Sequence, residues 1–183
     1  MDISSPMERF LASVEKRAFR MAELATGNRE DALDLVQDSM YGLVRSYADR
    51  PESEWRPLFF RILLNRIRDW SRRKRFRAAF RVFLTKGLKG ESDPGHAEPL
   101  NNLPDPESVN PAREVQRRDE ARNLKKALAG LPQRQQQAFL LRAWERLSIQ
   151  ETARAMKCSE GSVKTHYSRA VQALRRQLDM EQP

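Results

Sequence analysis

Apolar residues recur along this chain at intervals of three and four, and no run alternates with polar residues as a half-buried strand would. Met7 to Leu24 places Phe10, Val14, Ala18, Met21 and Ala22 on one side of a first helix. Gly27 ends it, and Asn28 caps a second helix with Asp31 in its first turn. The second helix sets Ala32, Leu35, Val36, Met40, Leu43 and Tyr47 on its inner side and leaves Asp31, Asp34 and Asp38 as a solvated acidic strip. A third helix starts near Trp55 and Pro57, proline being favoured in a first turn. Phe59, Ile62, Leu63, Ile67 and Trp70 form its buried stripe, and Trp70 and Phe76 are read as core in preference to stacking platforms for bases. Counting by three and four on the other side gives Arg61, Asn65, Arg68 and Arg72, which lead into the run Arg72-Arg73-Lys74-Arg75-Phe76-Arg77.

The helical period then stops. Glu91 to Pro111 holds Pro94, Pro99, Pro104, Pro106 and Pro111 and few apolar residues, the composition of an extended linker. Beyond it the period resumes. Leu128-Ala129-Gly130-Leu131-Pro132 closes one helix and opens the next, in which Gln136, Phe139, Leu140 and Ala143 share a face within Gln133–Glu145. Ser148 and Glu151 have the spacing of a capping box at the head of a short helix, Ile149–Met156, which offers Ala153 where two helices must approach closely. After the turn Lys157-Cys158-Ser159, Ser159 caps a last helix from Glu160 to about Leu178, with Val163, Tyr167, Ala170 and Leu174 inward. Cys158 is expected to pack inward as a small hydrophobe. The whole is an all-α chain of two small helical domains, 1–80 and 116–183, joined by a flexible linker, 81–115.

Composition narrows the function. The 183 residues hold 34 Lys+Arg against 25 Asp+Glu, a net charge of +9 that suits a polyanionic partner. One cysteine and two histidines leave too few soft ligands for a disulfide or a His/Cys metal cluster. The N-terminal stretch lacks a signal-peptide core and no apolar run is long enough to span a bilayer, so a soluble, cytoplasmic protein is expected. The charge is also segregated. Glu23 to Glu54 carries a net −5, and Arg61 to Arg77 a net +7. An acidic segment followed by a basic one suggests two different partners, one for each surface.

Two helices joined by so short a turn, the first with a small residue at its contact, describe a helix-turn-helix, whose second helix enters a DNA major groove. Lys164, Thr165, Ser168 and Arg169, with His166 alongside, form its donor-rich outer face. On the third helix, the arginines suit phosphates and Asn65 a base edge. These features alone fit a helix-turn-helix regulator that works without polymerase. A DNA-processing enzyme fits less well, since Asp31, Asp34 and Asp38 lie along a helix flank rather than around a metal.

The ordered set of residues resembles a known family. Leu131-Pro132, Gln136, Phe139, Leu141-Arg142, Glu145, Leu147-Ser148, Glu151-Thr152-Ala153, Ser159, Gly161-Ser162-Val163-Lys164 and Arg169-Ala170 match the C-terminal DNA-binding domain of bacterial sigma factors. Asp31 to Asp38 looks like the family's polymerase-binding helix, and Trp55 to Arg73 like its promoter-melting segment. Two domains and one acidic, proline-bearing linker is the layout of the extracytoplasmic-function class. The sequence departs from the helix-turn-helix pattern at Lys157, in the tight turn where many such units have glycine.

The resemblance implies a non-enzymatic sigma factor with no cofactor. Its partners would be core RNA polymerase, promoter DNA and an anti-sigma factor, with no membrane insertion. Core polymerase would be held through Asp31, Asp34, Leu35, Gln37 and Asp38. The downstream promoter element would be read and melted through Arg61, Asn65, Arg68, Asp69, Arg72 and Arg73. The upstream element would be read as duplex through Ser162, Lys164, Thr165, His166, Ser168 and Arg169. The linker would pass through the polymerase cleft as a nucleic-acid mimic.

Overall fold

The structure, a computed structural model, describes residues 5–85 and 121–179. All its regular elements among these residues are helical, and they fall in two compact units. Apart from residues 81–85, which continue a helix, the expected linker lies outside the described residues.

The first unit has three helices, α1 (Pro6–Thr26), α2 (Arg29–Tyr47) and α3 (Glu52–Thr85). The start of α1 is closed by a reciprocal capping box: Ser5 Oγ accepts from the Glu8 N–H at 3.2 Å, and Glu8 Oε2 accepts from the Ser5 N–H at 2.7 Å. Gly27 turns the chain at φ 67°, where a Cβ would be strained, and Asn28 Oδ1 caps α2 by accepting from the Asp31 N–H at 3.0 Å. Helix α3 touches both α1 and α2, so a wide face of it is covered. Phe60 and Leu64 are therefore fully buried beside Phe59, Leu63 and Ile67, whereas Ile62 and Trp70 are only half-buried. Phe10 of α1 meets Trp55 and Phe59 of α3 at ring separations of 5.7 and 6.3 Å, and the Trp55 indole N–H donates to the Tyr47 carbonyl at 3.2 Å.

Three sequence expectations change here. Helix α3 starts at Glu52, not at Trp55–Pro57, so Pro57 sits inside the helix. The hydrogen bond it cannot make would go to Ser53, an exposed residue whose carbonyl water can satisfy. On α2 the buried series is Ala32, Leu35, Val36, Ser39 and Leu43, while Met40 and Tyr47 are half-buried. Ser39 enters the core because its hydroxyl donates to the Leu35 carbonyl at 2.6 Å. Phe76, expected in the core, is 72% exposed, because α3 at this point has run past the residues that cover its earlier turns.

The second unit has α4 (121–129), α5 (Gln133–Phe139), α6 (Ile149–Met156) and α7 (Glu160–Asp179). The buried Gln136 amide donates to the Leu128 carbonyl at 2.9 Å and so closes the end of α4. The continuous helix expected over Gln133–Glu145 is instead interrupted by a π-helical turn at Leu140–Trp144, where the Glu145 N–H reaches back to the Leu140 carbonyl at 3.0 Å. The wider turn holds an extra residue and changes which of its own side chains face inward. Leu141 and Glu145 become buried, and Ala143, expected inside, is exposed. Phe139 is half-buried and stacks on Tyr167 of α7 at 6.1 Å, the two planes 17° apart.

Candidate nucleic-acid and protein interfaces

Helices α6 and α7 are joined as the sequence predicts. Ser148 Oγ accepts from the Glu151 N–H at 3.1 Å, and Glu151 Oε2 accepts from the Ser148 N–H at 2.7 Å. Lys157 ends α6 in the left-handed region, φ 51° and ψ 54°, at a cost of about 1–2 kcal/mol for a residue with a Cβ. Its N–H donates to the Ala153 carbonyl, and the Cys158 N–H donates to the same oxygen at 3.1 Å. Arg134 of α5 covers the end of α6 from outside, donating to the Met156 carbonyl at 2.7 Å. Cys158 is half-buried, short of the inward packing expected.

Ser159 caps α7, its Oγ accepting from the Ser162 N–H at 3.1 Å. The two hydroxyls are also 2.9 Å apart, so Ser162 belongs to the cap as well as to the helix face. Val163, Ala170 and Leu174 hold α7 against the core, with Tyr167 half-buried. Lys164, Thr165, Ser168 and Arg169 are exposed, and His166 lies half-buried on their flank. Steps of about 100° per residue put the four exposed side chains on one side of the helix. Thr165 donates to the Gly161 carbonyl at 3.0 Å, which leaves its oxygen lone pairs outward.

On α3 the expected side chains also share a face, but they are held by neighbours. Arg61 donates to the Tyr47 hydroxyl at 2.9 Å with its guanidinium 5.5 Å from that ring's centre. Arg68 reaches Asn65 Oδ1 at 3.4 Å, and Arg72 reaches Asp69 Oδ1 at 3.3 Å. Arg73 Nε donates to the Asp69 carbonyl at 3.4 Å. Asp69 thus serves here as an acceptor that places two arginines.

On α2, Asp34, Gln37 and Asp38 are exposed and Asp31 is half-buried in the first turn. Leu35, expected at a protein contact, is 6% exposed and packs in the core, so it anchors the helix rather than meeting a partner. Asp38 is engaged within the chain: Arg66 Nη1 of α3 lies 2.8 Å from its carboxylate and Nη2 donates to its carbonyl at 3.4 Å. Both side chains remain open to water, Asp38 more than Arg66, so the pair contributes at most about 1 kcal/mol. Sequence reasoning missed Arg66, whose partner lies 28 residues away. It also missed the exposed apolar residues Leu33, Tyr41 and Val44 on α2. Their signal was present, since all three fall outside the buried series Ala32, Leu35, Val36, Ser39 and Leu43. Among the described residues, no helix is long and apolar enough to cross a membrane.

Comparison with known proteins bears on the family and the fold. Residues 7–77 match the family model described as sigma-70 region 2, and residues 121–174 match that of sigma-70 region 4. The chain is 27% identical over 175 residues to an RNA polymerase sigma-E factor of Streptomyces avermitilis, covering 94% of this chain and 84% of that protein. Its fold is similar to the sigma factor RpoE solved with the anti-sigma factor NepR from Bartonella quintana, at a TM-score of 0.60 and 22% identity, over 96% of this chain and 99% of that one. It is similar also to CnrH solved with the cytosolic domain of CnrY, at a TM-score of 0.60 and 20% identity, over 96% of this chain and 88% of that one. At these identities the two structures speak for the fold. With region 2 and region 4 matched in order over more than half its length, the chain belongs to the sigma-70 family, as a sigma factor of the extracytoplasmic-function type.

Proposed function

We propose that this sigma factor divides its work among three surfaces, each on a different helix. The acidic face of α2, chiefly Asp34 with Asp31, Gln37 and Asp38, meets a basic surface of core RNA polymerase. The outer face of α7, with Lys164, Thr165, Ser168 and Arg169 and with Ser162 and His166 at its edges, enters the major groove of the upstream promoter element. The α3 stripe of Arg61, Asn65, Arg68 and Arg72, with Asp69 and Arg73 beside it, takes the downstream element as an opened strand. Extruding a base costs a few kcal/mol, which a fitted pocket offsets. The observation that carries this reading is the opposition of charge among the described residues: exposed Asp34 and Asp38 on α2, against exposed Lys164 and Arg169 on α7 and the half-exposed to exposed arginines Arg61, Arg68 and Arg72 on α3.

In this division 1–80 binds polymerase and melts, 116–183 reads duplex, and 81–115 links them. The chain makes and breaks no bonds itself; the polymerase supplies that chemistry. Its place is the cytoplasm, with the polymerase, and an anti-sigma factor of the kind solved with the two similar structures restrains it.

The test is reconstitution with core polymerase, reading co-elution, then transcript from matched duplex and pre-melted templates. Wild-type protein should co-elute and initiate. Asn65→Ala should still give the closed complex but lose about ten-fold or more of the transcript from duplex, with poor rescue on the pre-melted template, because base reading is the missing term. Full transcript from that variant on duplex removes Asn65 from the site.

A further inference from the structure

We propose that Arg66 competes within the chain for the Asp38 carboxylate, and so limits how tightly the acidic face of α2 holds the cations of core polymerase. This rests on the reading of that face as the one that meets a basic surface of the polymerase.

The acidic strip is unevenly presented. Asp34 and Asp38 lie about one turn apart on α2, and both are exposed. Among the described residues Asp34 has no ion pair, whereas Asp38 is held at two points. Arg66 Nη1 lies 2.8 Å from its Oδ2, and Nη2 donates to its carbonyl at 3.4 Å. A guanidinium offers its donors in a rigid fork, so two acceptors on one residue fix its position. The backbone beneath it is bare. Gly42 follows Asp38 by one turn, and a Cβ there would already touch Ile62 Cγ2 at 3.4 Å and Arg66 Nη2 at 3.8 Å. Glycine inside a helix is disfavoured, and here it lets an arginine of α3 lie across α2.

Charge gives the direction of the effect. Arg66 neutralises Asp38 at the place where a cation of the partner would bind. That cation must displace the guanidinium or share the carboxylate with a like charge. Apparent affinity then falls in proportion to the fraction of chains in which Asp38 is free. The pair is weak enough to yield: Asp38 is 60% exposed and Arg66 39%, and such pairs shift an equilibrium by no more than about five-fold. A merely structural pair would act in the opposite sense, since its loss would loosen α2 on α3 and weaken the complex. Arg66 also stands about 100° around α3 from Asn65, so replacing it leaves the stripe of Asn65, Arg68 and Arg72 in place.

The experiment measures the affinity of the full chain for core polymerase by titration, with helical content read by circular dichroism. Arg66→Gln and Arg66→Met should each bind about two- to five-fold more tightly than the wild type. The gain should persist beside Asp34→Ala. It should be at least halved beside Asp38→Ala, where only the removal of a positive charge near the partner is left to act. Unchanged or weaker binding by both Arg66 variants overturns the proposal. An equal or larger gain without the Asp38 carboxylate overturns it too, since general charge would then account for the whole effect. Asp34→Ala and Asp38→Ala are also titrated with Arg66 intact. If neither weakens binding, the reading of α2 as the polymerase face falls and this proposal with it. If they weaken binding and the Arg66 variants bring no gain, this proposal alone falls.

Discussion

The outer face of α7 and the stripe of α3 are both basic, yet their cations stand in different company. Lys164 and Arg169 project from α7 with water around them. On α3, Arg61 rests on Tyr47, Arg68 on Asn65, and Arg72 on Asp69. An open cation gives its full charge to a phosphate and so favours fast, salt-sensitive association. A cation already hydrogen-bonded must exchange one partner for another, and its net gain is smaller, but its direction is fixed in advance. The first arrangement suits a duplex, a regular array of phosphates that exists before the protein arrives. The second suits a strand whose shape is made during binding.

The largest expected effect removes the occasion for the comparison. Asp34→Lys with Asp38→Lys should abolish co-elution with core polymerase while helical content by circular dichroism stays unchanged, so that neither basic face is brought to a promoter. Asp38→Arg with Arg66→Glu restores the internal pair with reversed charges, and it should weaken co-elution less than the double lysine variant. A smaller effect tests the contrast itself. Arg169→Ala should weaken promoter binding by about ten-fold and lower the salt slope by about one, whereas Arg72→Ala should cost only two- to three-fold, roughly, because its charge is partly spent on Asp69. Equal losses, read as affinity at several salt concentrations, would break the contrast. Smaller still, Asp69→Asn should raise affinity for pre-melted template by roughly two-fold, by releasing Arg72 and removing an anion from the strand's path. The smallest concerns the fold beneath α7. Lys157→Gly relieves a left-handed residue and should stabilise the second unit by about 1 kcal/mol, measured by chemical denaturation, with promoter affinity unchanged.

Helix positions and caps were legible because their causes are local. Asn28, Ser148 and Ser159 each act within three residues of themselves, and each caps the next helix in the chain; Ser5 does the same for α1, a local signal that sequence reasoning passed over. The outer face of α7 was legible for the same reason, being fixed by its period and by Val163, Ala170 and Leu174. What failed was set by contacts distant in sequence. The burial of Phe60 and Leu64 depends on two helices covering α3 at once, and the pairing of Asp38 depends on Arg66. Leu35 was placed both in the core and at a contact, and its own periodicity favoured the core. Phe76 was misplaced because an aromatic at helical spacing counts as core until something shows where the cover ends.

The π turn at Leu140–Trp144 bears on how the second unit can change in length. An α-helix that gains one residue turns everything after it by about 100°, which would point the buried side of the next segment into solvent. Here the additional residue is taken up within one wide turn, and Leu147 and the capped start of α6 still meet the core. Such a turn is a length adjuster. Removing one residue from it, the exposed Ala143 being the least missed, should tighten it to an ordinary α turn and leave α6 and α7 seated as before. The second unit can therefore drift in length ahead of α6 while the outer face of α7, proposed above to meet DNA, keeps its aim.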